Sequence, residues 1–140
     1  GEDYDYHFRT CREGDVAYID VPSIRYQVGA ADQLTQPEHI GWIAVNNLKT
    51  INKMLSVARD EIRLPRKMMR RRMGESHAWV GFTEFQKDNS KKARAHFTRS
   101  LILLPTQAKV AAYLMLTFLP SGTANKYREV RAMIKRVADR

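Results

Sequence analysis

The sequence predicts a mainly α-helical protein in which a short helix and two strands precede an array of antiparallel helices. Three observations predict this fold class. Apolar residues recur every three or four positions between residues 40 and 62, turn residues separate several further helical patterns, and β-prone runs occur only near the N-terminus. The 140 residues and the 44% hydrophobic content suit a folded domain of modest size.

The first part of the chain predicts one helix and two strands. Acidic residues open the segment 3–12 and arginines close it, which suits the helix dipole. The runs 16–20 and 24–28 are rich in β-branched and aromatic residues, which favour strands. Two strands cannot close a core of their own, so we expect this segment to be poorly anchored or to pair with another chain.

From Thr35 onward the pattern is helical. Thr35-Gln36-Pro37-Glu38 is a capping box, and the helix that it begins has a continuous apolar stripe. The stripe consists of Ile40, Ala44, Leu48, Ile51, Leu55, Ala58 and Ile62. A further helix is predicted over residues 65–87 with a break at Gly74, and a turn at 88–90 follows it. Helices are then predicted from that turn to Pro105 on the stripe 93–104, over 107–119 and around 127–137. The helix 107–119 is apolar nearly all round, so we expect it to be buried.

Five residues between 75 and 105 have the spacing of a tetratricopeptide repeat, with small, aromatic and proline positions in the usual order. They are Gly81, Ala93, Phe97, Ser100 and Pro105. Small residues let two antiparallel helices approach closely, an aromatic ring fills the space beside them, and proline ends the second helix. Because a single repeat makes no superhelical groove, we expect this TPR-like hairpin mainly to pack, with peptide binding as the alternative.

Charge divides the chain into two regions near Leu64-Pro65. Residues 1–62 hold six Lys and Arg and ten Asp and Glu, a net charge of −4, whereas residues 63–140 hold 18 and five, a net charge of +13. One basic cluster consists of Arg63, Arg66, Lys67, Arg70, Arg71 and Arg72, and a second of Lys126, Arg128, Arg131, Lys135, Arg136 and Arg140. Such an asymmetry suggests two regions with different roles.

Several kinds of site and segment have no support in the sequence. The longest apolar stretch is about half a membrane span, no signal peptide opens the chain, and the start at Gly1 suggests part of a longer protein. The four histidines form no metal motif and are expected to be surface or partly buried residues. Cys11 has no partner in sequence, and we expect a packed thiol in a reducing compartment.

The N-terminal segment also holds an ordered series of motifs. They are Glu2-Asp3-Tyr4-Asp5, a helix ending in Arg9, Ala17-Tyr18-Ile19-Asp20-Val21-Pro22, and Ile24-Arg25-Tyr26. The series resembles the end of the catalytic domain of family 2 glycosyltransferases, the inverting GT-A type enzymes. The resemblance implies that residues 1–34 are the C-terminal remnant of that α/β domain and that residues 35–140 are a helical extension, as in many bacterial members.

What the resemblance implies about chemistry concerns Glu2 and Asp3. In the family, the aspartate of the Glu-Asp pair is the general base that deprotonates the acceptor hydroxyl, a role that falls on Asp3, with Glu2 beside it contacting the acceptor. The acceptor, a glycan or a lipid-linked sugar, displaces the nucleoside diphosphate from the donor with inversion. The alternative is that these carboxylates only complement a helix N-terminus.

This chain departs from the family in two ways. Gln27-Val28-Gly29 stand where many metal-dependent members have a histidine, and no nucleotide-sugar half or Asp-x-Asp site precedes the Glu-Asp pair. No cofactor is therefore expected in this chain, although the parent enzyme would use a nucleotide sugar and a divalent metal, Mg²⁺ or Mn²⁺. We expect the chain alone to be inactive.

The expected partners follow from the missing domain and the charge. They are the N-terminal catalytic domain, a second copy of the chain and an anionic membrane surface, with a cytoplasmic location at the inner face of the membrane. The basic helices have simpler interpretations as solvated faces or as contacts with an acidic catalytic domain. Nucleic acid is disfavoured because no recognition motif accompanies the charge. The contrasting function is a non-enzymatic, TPR-like protein-interaction module.

Overall fold

The computed structural model describes residues 2–25 and 37–120. The helices there are α1 (Glu2–Glu13), α2 (Pro37–Val57), α3 (Arg66–Gln86), α4 (Ser90–Leu103) and α5 (Ala108–Leu116). The mainly α-helical class is therefore confirmed. The chain divides into two compact units, Gly1–Pro65 and Arg66–Arg140, and the division falls where the sequence changes from acidic to basic.

Some predictions concern residues outside the described ranges. They are the cap residues Thr35 and Gln36, most of the run 24–28, the helix around 127–137 and the second basic cluster. The predicted boundary between residues 34 and 35 stays a prediction for the same reason.

The N-terminal unit contains α1 and α2 but lacks the first predicted strand. Helix α1 matches the expected helix 3–12 to within a residue at each end, and Gly14 follows it. Residues 16–20 were expected to be a strand, and this prediction is wrong, because they form an irregular and exposed chain. A strand requires a partner that accepts its backbone hydrogen bonds, and the described residues offer none.

Helix α2 is the amphipathic helix that the periodic stripe predicts. Ala44, Leu48, Ile51 and Ala58 of the stripe are buried. The helix ends at Val57 rather than at Ile62, and the chain tightens there into a turn in which Glu61 N donates to Ala58 O at 3.1 Å. Pro65 has no N–H and disfavours a helical residue before it, so a helix could not have continued into α3.

Helix α3 is continuous, so the break expected at Gly74 does not occur. Gly74 lies against α4 instead. An ideal Cβ at this position would be 3.0 Å from Leu104 Cβ, and Ser100 Oγ donates a 2.7 Å hydrogen bond to Gly74 O. Glycine at this position allows close approach between two helices, at the usual cost of glycine within a helix.

A tight turn reverses the chain between α3 and α4, where turn residues were expected. Asp88 has a left-handed backbone, with φ of 63°, a conformation that aspartate tolerates better than most residues. Asn89 then caps α4, because its side chain accepts a hydrogen bond from Lys92 N at 3.5 Å. This turn makes α3 and α4 an antiparallel hairpin.

The closest contact of the hairpin joins Gly81 of α3 to Phe97 of α4. An ideal Cβ at Gly81 would lie 2.6 Å from two ring carbons of Phe97, so only glycine fits there. Phe97 is fully buried, and its ring centroid lies 5.1 Å from that of Phe82. Tyr113 of α5 completes the cluster, 4.9 Å from Phe82 and 5.2 Å from Phe85, in edge-to-face arrangements that aromatic pairs favour.

Helix α5 is shorter and less buried than expected. It covers Ala108–Leu116 rather than 107–119, and it packs on α4 through the face that carries Val110 and Tyr113. Met115 is 68% exposed and Phe118, just past its end, is 59% exposed, so the prediction of a helix buried all round is wrong. An all-round apolar sequence requires neighbours on every side, and the described chain supplies them on one side only.

Replacing Gly81 by valine is expected to lower the free energy of unfolding by about 1–3 kcal/mol, because the added atoms would overlap a ring that has no room to move. Chemical denaturation of the whole chain measures the change. Gly14→Val is the matched control, since a Cβ at Gly14 meets nothing within 4 Å. Equal effects of the two substitutions would show that the close contact does not determine stability.

Candidate functional site

The two candidate catalytic residues lie at the start of α1. The helix begins at Glu2, so Asp3 is in its first turn, where the N-terminal backbone N–H groups favour negative charge. Asp3 is exposed to solvent and forms no ion pair with another described residue. Its carboxylate is therefore accessible to another molecule.

Asp5, one turn into the same helix, has a different environment. Its carboxylate accepts a 2.7 Å hydrogen bond from Lys53 Nζ of α2 and lies 3.3 Å from Arg9 Nε. The hydrogen bond from Lys53, with the charges of Lys53 and Arg9, holds the pKa of Asp5 below its ordinary value. The two carboxylates of this helix turn therefore differ, because Asp5 forms ion pairs and Asp3 forms none with a described residue.

A second ion pair fixes the other end of α1. The guanidinium of Arg12 contacts Glu61, with Nε donating to Oε2 and Nη2 to Oε1, both at 2.6 Å. This bidentate geometry is the strongest that Arg and a carboxylate form, but exposed pairs contribute little to stability. Helix α1 therefore depends mainly on surface charges for its position beside the C-terminal half of α2 and its following turn.

Large apolar side chains of the N-terminal unit are unusually exposed. Tyr18 is 85% and Ile24 is 82% exposed in the irregular segment after α1. Val16, Ile19 and Val21 are also exposed, as are Tyr4, Tyr6 and Phe8 of α1. So many exposed apolar side chains in one short stretch of chain are typical of a region that another polypeptide segment covers.

The hairpin brings together two histidines that are distant in sequence. His77 of α3 and His96 of α4 have Nδ1 atoms 3.1 Å apart and ring centroids 5.3 Å apart. Burial is the first cause that lowers the pKa of each ring, and the neighbouring charge of Arg99 lowers both further. Lys92 also lowers the pKa of His96, whereas Glu84 raises it. A hydrogen bond at this separation requires one ring to donate its Nδ1–H and the other to accept at an unprotonated Nδ1.

Sequence reasoning missed this pair because it examined only short spacings. The TPR-like pattern places Gly81 opposite Phe97 and so predicts that α3 and α4 lie side by side. In that antiparallel register a residue one turn before Gly81 lies opposite the turn after Phe97, so the pattern alone does not pair His77 with His96. His7 and His39 are exposed, as expected of surface histidines.

Other expectations about reactive residues have mixed outcomes. Cys11 is exposed, so the prediction of a packed thiol is wrong. Helix α1 buries too little of its surface to enclose the side chain. Within residues 2–25 and 37–120, no group of three or more His, Cys, Asp or Glu side chains could hold a metal ion. None of the described helices is long and apolar enough to cross a membrane.

The first basic cluster lies on the surface. Its members in α3 are all exposed and occupy the first two turns of the helix, and Arg63 is exposed before it. Arg71 Nε contacts Glu75 Oε1 at 2.8 Å, and Arg70 Nη2 donates to Ile102 O at 3.2 Å. The arrangement leaves positive charge in excess at this end of the helix.

Comparison with known proteins gives no match: no protein-family model, curated protein or solved structure is similar to this chain.

Acidification is expected to destabilise the hairpin through His77 and His96. Their pKa values are lowered in the folded state, so the unfolded chain binds more protons once the pH falls below about 6.5, the ordinary histidine value. This contribution to stability is fully present above that pH and is lost as the pH falls from there through the lowered pKa values of the folded state. Denaturation at pH 7.5 and pH 5 should show a smaller difference in the double variant His77→Gln, His96→Gln. His7→Gln is the control and should leave the difference unchanged.

Lys53→Gln is expected to raise the pKa of Asp5 towards its ordinary value of 3.8, because the substitution removes the charge and the strongest hydrogen bond on this carboxylate. Carboxyl NMR titration measures the pKa directly. Lys49→Gln, an exposed lysine one turn earlier in α2, should leave it unchanged. An unmoved Asp5 titration in Lys53→Gln would mean that the two helices do not make this contact in solution.

Proposed function

We propose that this chain is the C-terminal region of a bacterial glycosyltransferase that transfers a sugar from a nucleotide-sugar donor to a glycan or lipid-linked acceptor with inversion. The observation that carries the proposal is the ordered series of motifs in residues 1–34, from Glu2-Asp3 to Arg25-Tyr26. In this proposal the series closes a GT-A catalytic domain on the cytoplasmic side of the membrane. The helices after it form a TPR-like extension, and the chain alone is inactive.

The exposure of apolar side chains in the N-terminal unit supports the proposal. Tyr18, Ile19 and Ile24 would gain a covered environment if a catalytic domain placed a sheet against them, and residues 16–20 would then find the strand partner that they lack. The dependence of α1 on the surface ion pairs of Asp5 and Arg12 fits a helix whose remaining contacts come from such a domain.

Asp3 is assigned the base in this reaction. Its carboxylate takes the proton of the acceptor hydroxyl while the hydroxyl oxygen forms a bond to the anomeric carbon. The bond from that carbon to the diphosphate oxygen breaks on the opposite face, and the nucleoside diphosphate leaves with the electron pair. Glu2 is assigned the contact that orients the acceptor. A base must be reachable by its substrate, and the exposure of Asp3 supports this requirement.

The described residues do not fit the divalent metal expected of the parent enzyme. No group of three or more ligating side chains converges within the described ranges, so no residue of this part is assigned to Mg²⁺ or Mn²⁺. The roles given to Asp3 and Glu2 do not depend on a metal.

The second candidate function is a non-enzymatic, TPR-like module that binds a protein. The contact of Gly81 with Phe97 and the apolar side chains exposed at the end of α5 favour it, because a repeat array uses such packing and such surfaces. The two candidates differ in one measurement on the full-length protein. Release of nucleoside diphosphate from a nucleotide sugar supports the transferase, and its absence with every common donor supports the module.

Asp3→Asn in the full-length protein is expected to lower turnover by about 10²–10⁴-fold, because an amide cannot accept the acceptor proton. Nucleoside diphosphate release measures it. Asp5→Asn is the matched control, since it makes the same change two residues along the same helix, in an ion pair rather than at the proposed base. Near-normal turnover of Asp3→Asn, or an equal loss in Asp5→Asn, would contradict the assignment.

A further inference from the structure

We propose that the basic end of α3 binds the surface of an anionic lipid bilayer. The basic end consists of the first two turns of the helix and one neighbouring side chain of α4. Its members are Arg66, Lys67, Met68, Arg70, Arg71, Arg72 and Ile102. The proposal goes beyond the transferase function and does not rest on it, since every residue in it belongs to the unit Arg66–Arg140.

The antiparallel register makes the first turn of α3 extend beyond the C-terminal end of α4. Gly81 is opposite Phe97, and Gly74 is opposite Ser100 and Leu104. Helix α4 ends at Leu103, and Arg70 already reaches the carbonyl of Ile102 in the last turn of α4. The residues of α3 that precede Arg70 therefore have no part of α4 beside them. Arg66, Lys67 and Met68 among them are exposed and can contact a large partner such as a bilayer.

Described residues neutralise the charges at this end only in part. Among residues 2–25 and 37–120, the one carboxylate that contacts the five basic side chains is that of Glu75, which lies 2.8 Å from Arg71 Nε and 3.9 Å from Arg72 Nη1. Arg70 donates to a backbone carbonyl and forms no ion pair with a described carboxylate. Arg66 and Lys67 form no ion pair with any described residue and are the most available cations.

Apolar side chains lie among these cations. Met68 is 55% exposed and Ile102 is 66% exposed, and the contact of Arg70 with Ile102 O places Ile102 beside the basic turns. Such a combination suits a bilayer, where cations meet anionic headgroups and nearby apolar side chains enter the boundary with the acyl chains. Single-stranded nucleic acid is usually held by exposed aromatic rings on which bases stack, and the basic end has none.

Binding of the full chain to vesicles tests the proposal. Vesicles of phosphatidylcholine containing phosphatidylserine should bind the chain at low salt, and vesicles of phosphatidylcholine alone should not. The double variant Arg66→Gln, Lys67→Gln should bind roughly thirty-fold more weakly, from about 1 kcal/mol for each basic residue near the surface. Both residues are exposed in the first turn of a helix, so the fold should tolerate the change.

The matched control is Lys91→Gln, Lys92→Gln. These residues are also exposed, adjacent and in the first turn of a helix, but α4 runs antiparallel to α3, which places them about 20 Å from the basic end. The control should bind as tightly as the unmodified chain. Equal weakening of both variants would overturn the proposal in favour of diffuse attraction by net charge.

Two further outcomes would also overturn it. One is equal binding to neutral and anionic vesicles. The other is tight binding of a single-stranded oligonucleotide that the Arg66→Gln, Lys67→Gln variant loses, with no binding to anionic vesicles, which would identify nucleic acid as the partner. Circular dichroism measures the helical content of the two double variants, which must equal that of the unmodified chain for the binding comparison to be valid.

Discussion

The contact between Gly81 and Phe97 is the constraint on which the rest of the unit Arg66–Arg140 depends. With no Cβ on Gly81, the ring of Phe97 can lie against the backbone of α3 and become fully buried. The buried ring then forms one side of the aromatic cluster to which Tyr113 brings α5. A close approach of backbones also fixes the register of two helices, because ridges and grooves at short distance permit few alternatives.

That register determines which polar side chains of α3 and α4 come into contact. It places the Nδ1 atoms of His77 and His96 3.1 Å apart in the interior of the hairpin, and it brings Arg70 to the last turn of α4. The histidine pair and the contact of Arg70 with α4 are therefore consequences of one packing arrangement. A change in the register by one turn would separate the two histidines and move Arg70 away from Ile102, even though none of these residues would have been altered.

The unit Gly1–Pro65 is stabilised in a different way. Helix α2 buries Ala44, Leu48 and Ile51 of its apolar stripe. By contrast, α1 is linked to this part of the unit by the exposed ion pairs of Asp5 and Arg12 and leaves Tyr6 61% exposed. Exposed ion pairs select an orientation but supply little free energy, so an element held in this way is suited to completing a larger structure. The proposed glycosyltransferase function requires this of residues 1–34, since Asp3 can act only beside a donor site that those residues do not contain.

The sequence was most informative where local rules determine structure. The stripe from Ile40 to Ile62 predicted α2, because apolar residues at a helical period lie on one face of a helix, and Ala44 to Ala58 of that face is the part buried. Predictions failed where the answer depended on distant contacts. Residues 16–20 lack a strand partner among the described residues, Gly74 meets α4 instead of breaking a helix, and α5 has described neighbours on one side only.

The candidate site likewise has one feature that the local sequence determines and one that distant contacts determine. A helix that begins beside Asp3 was predictable from the local pattern. The distinction between Asp3 and Asp5 depends on Lys53, which lies 48 residues after Asp5 and comes within 2.7 Å of it only because α1 packs on α2.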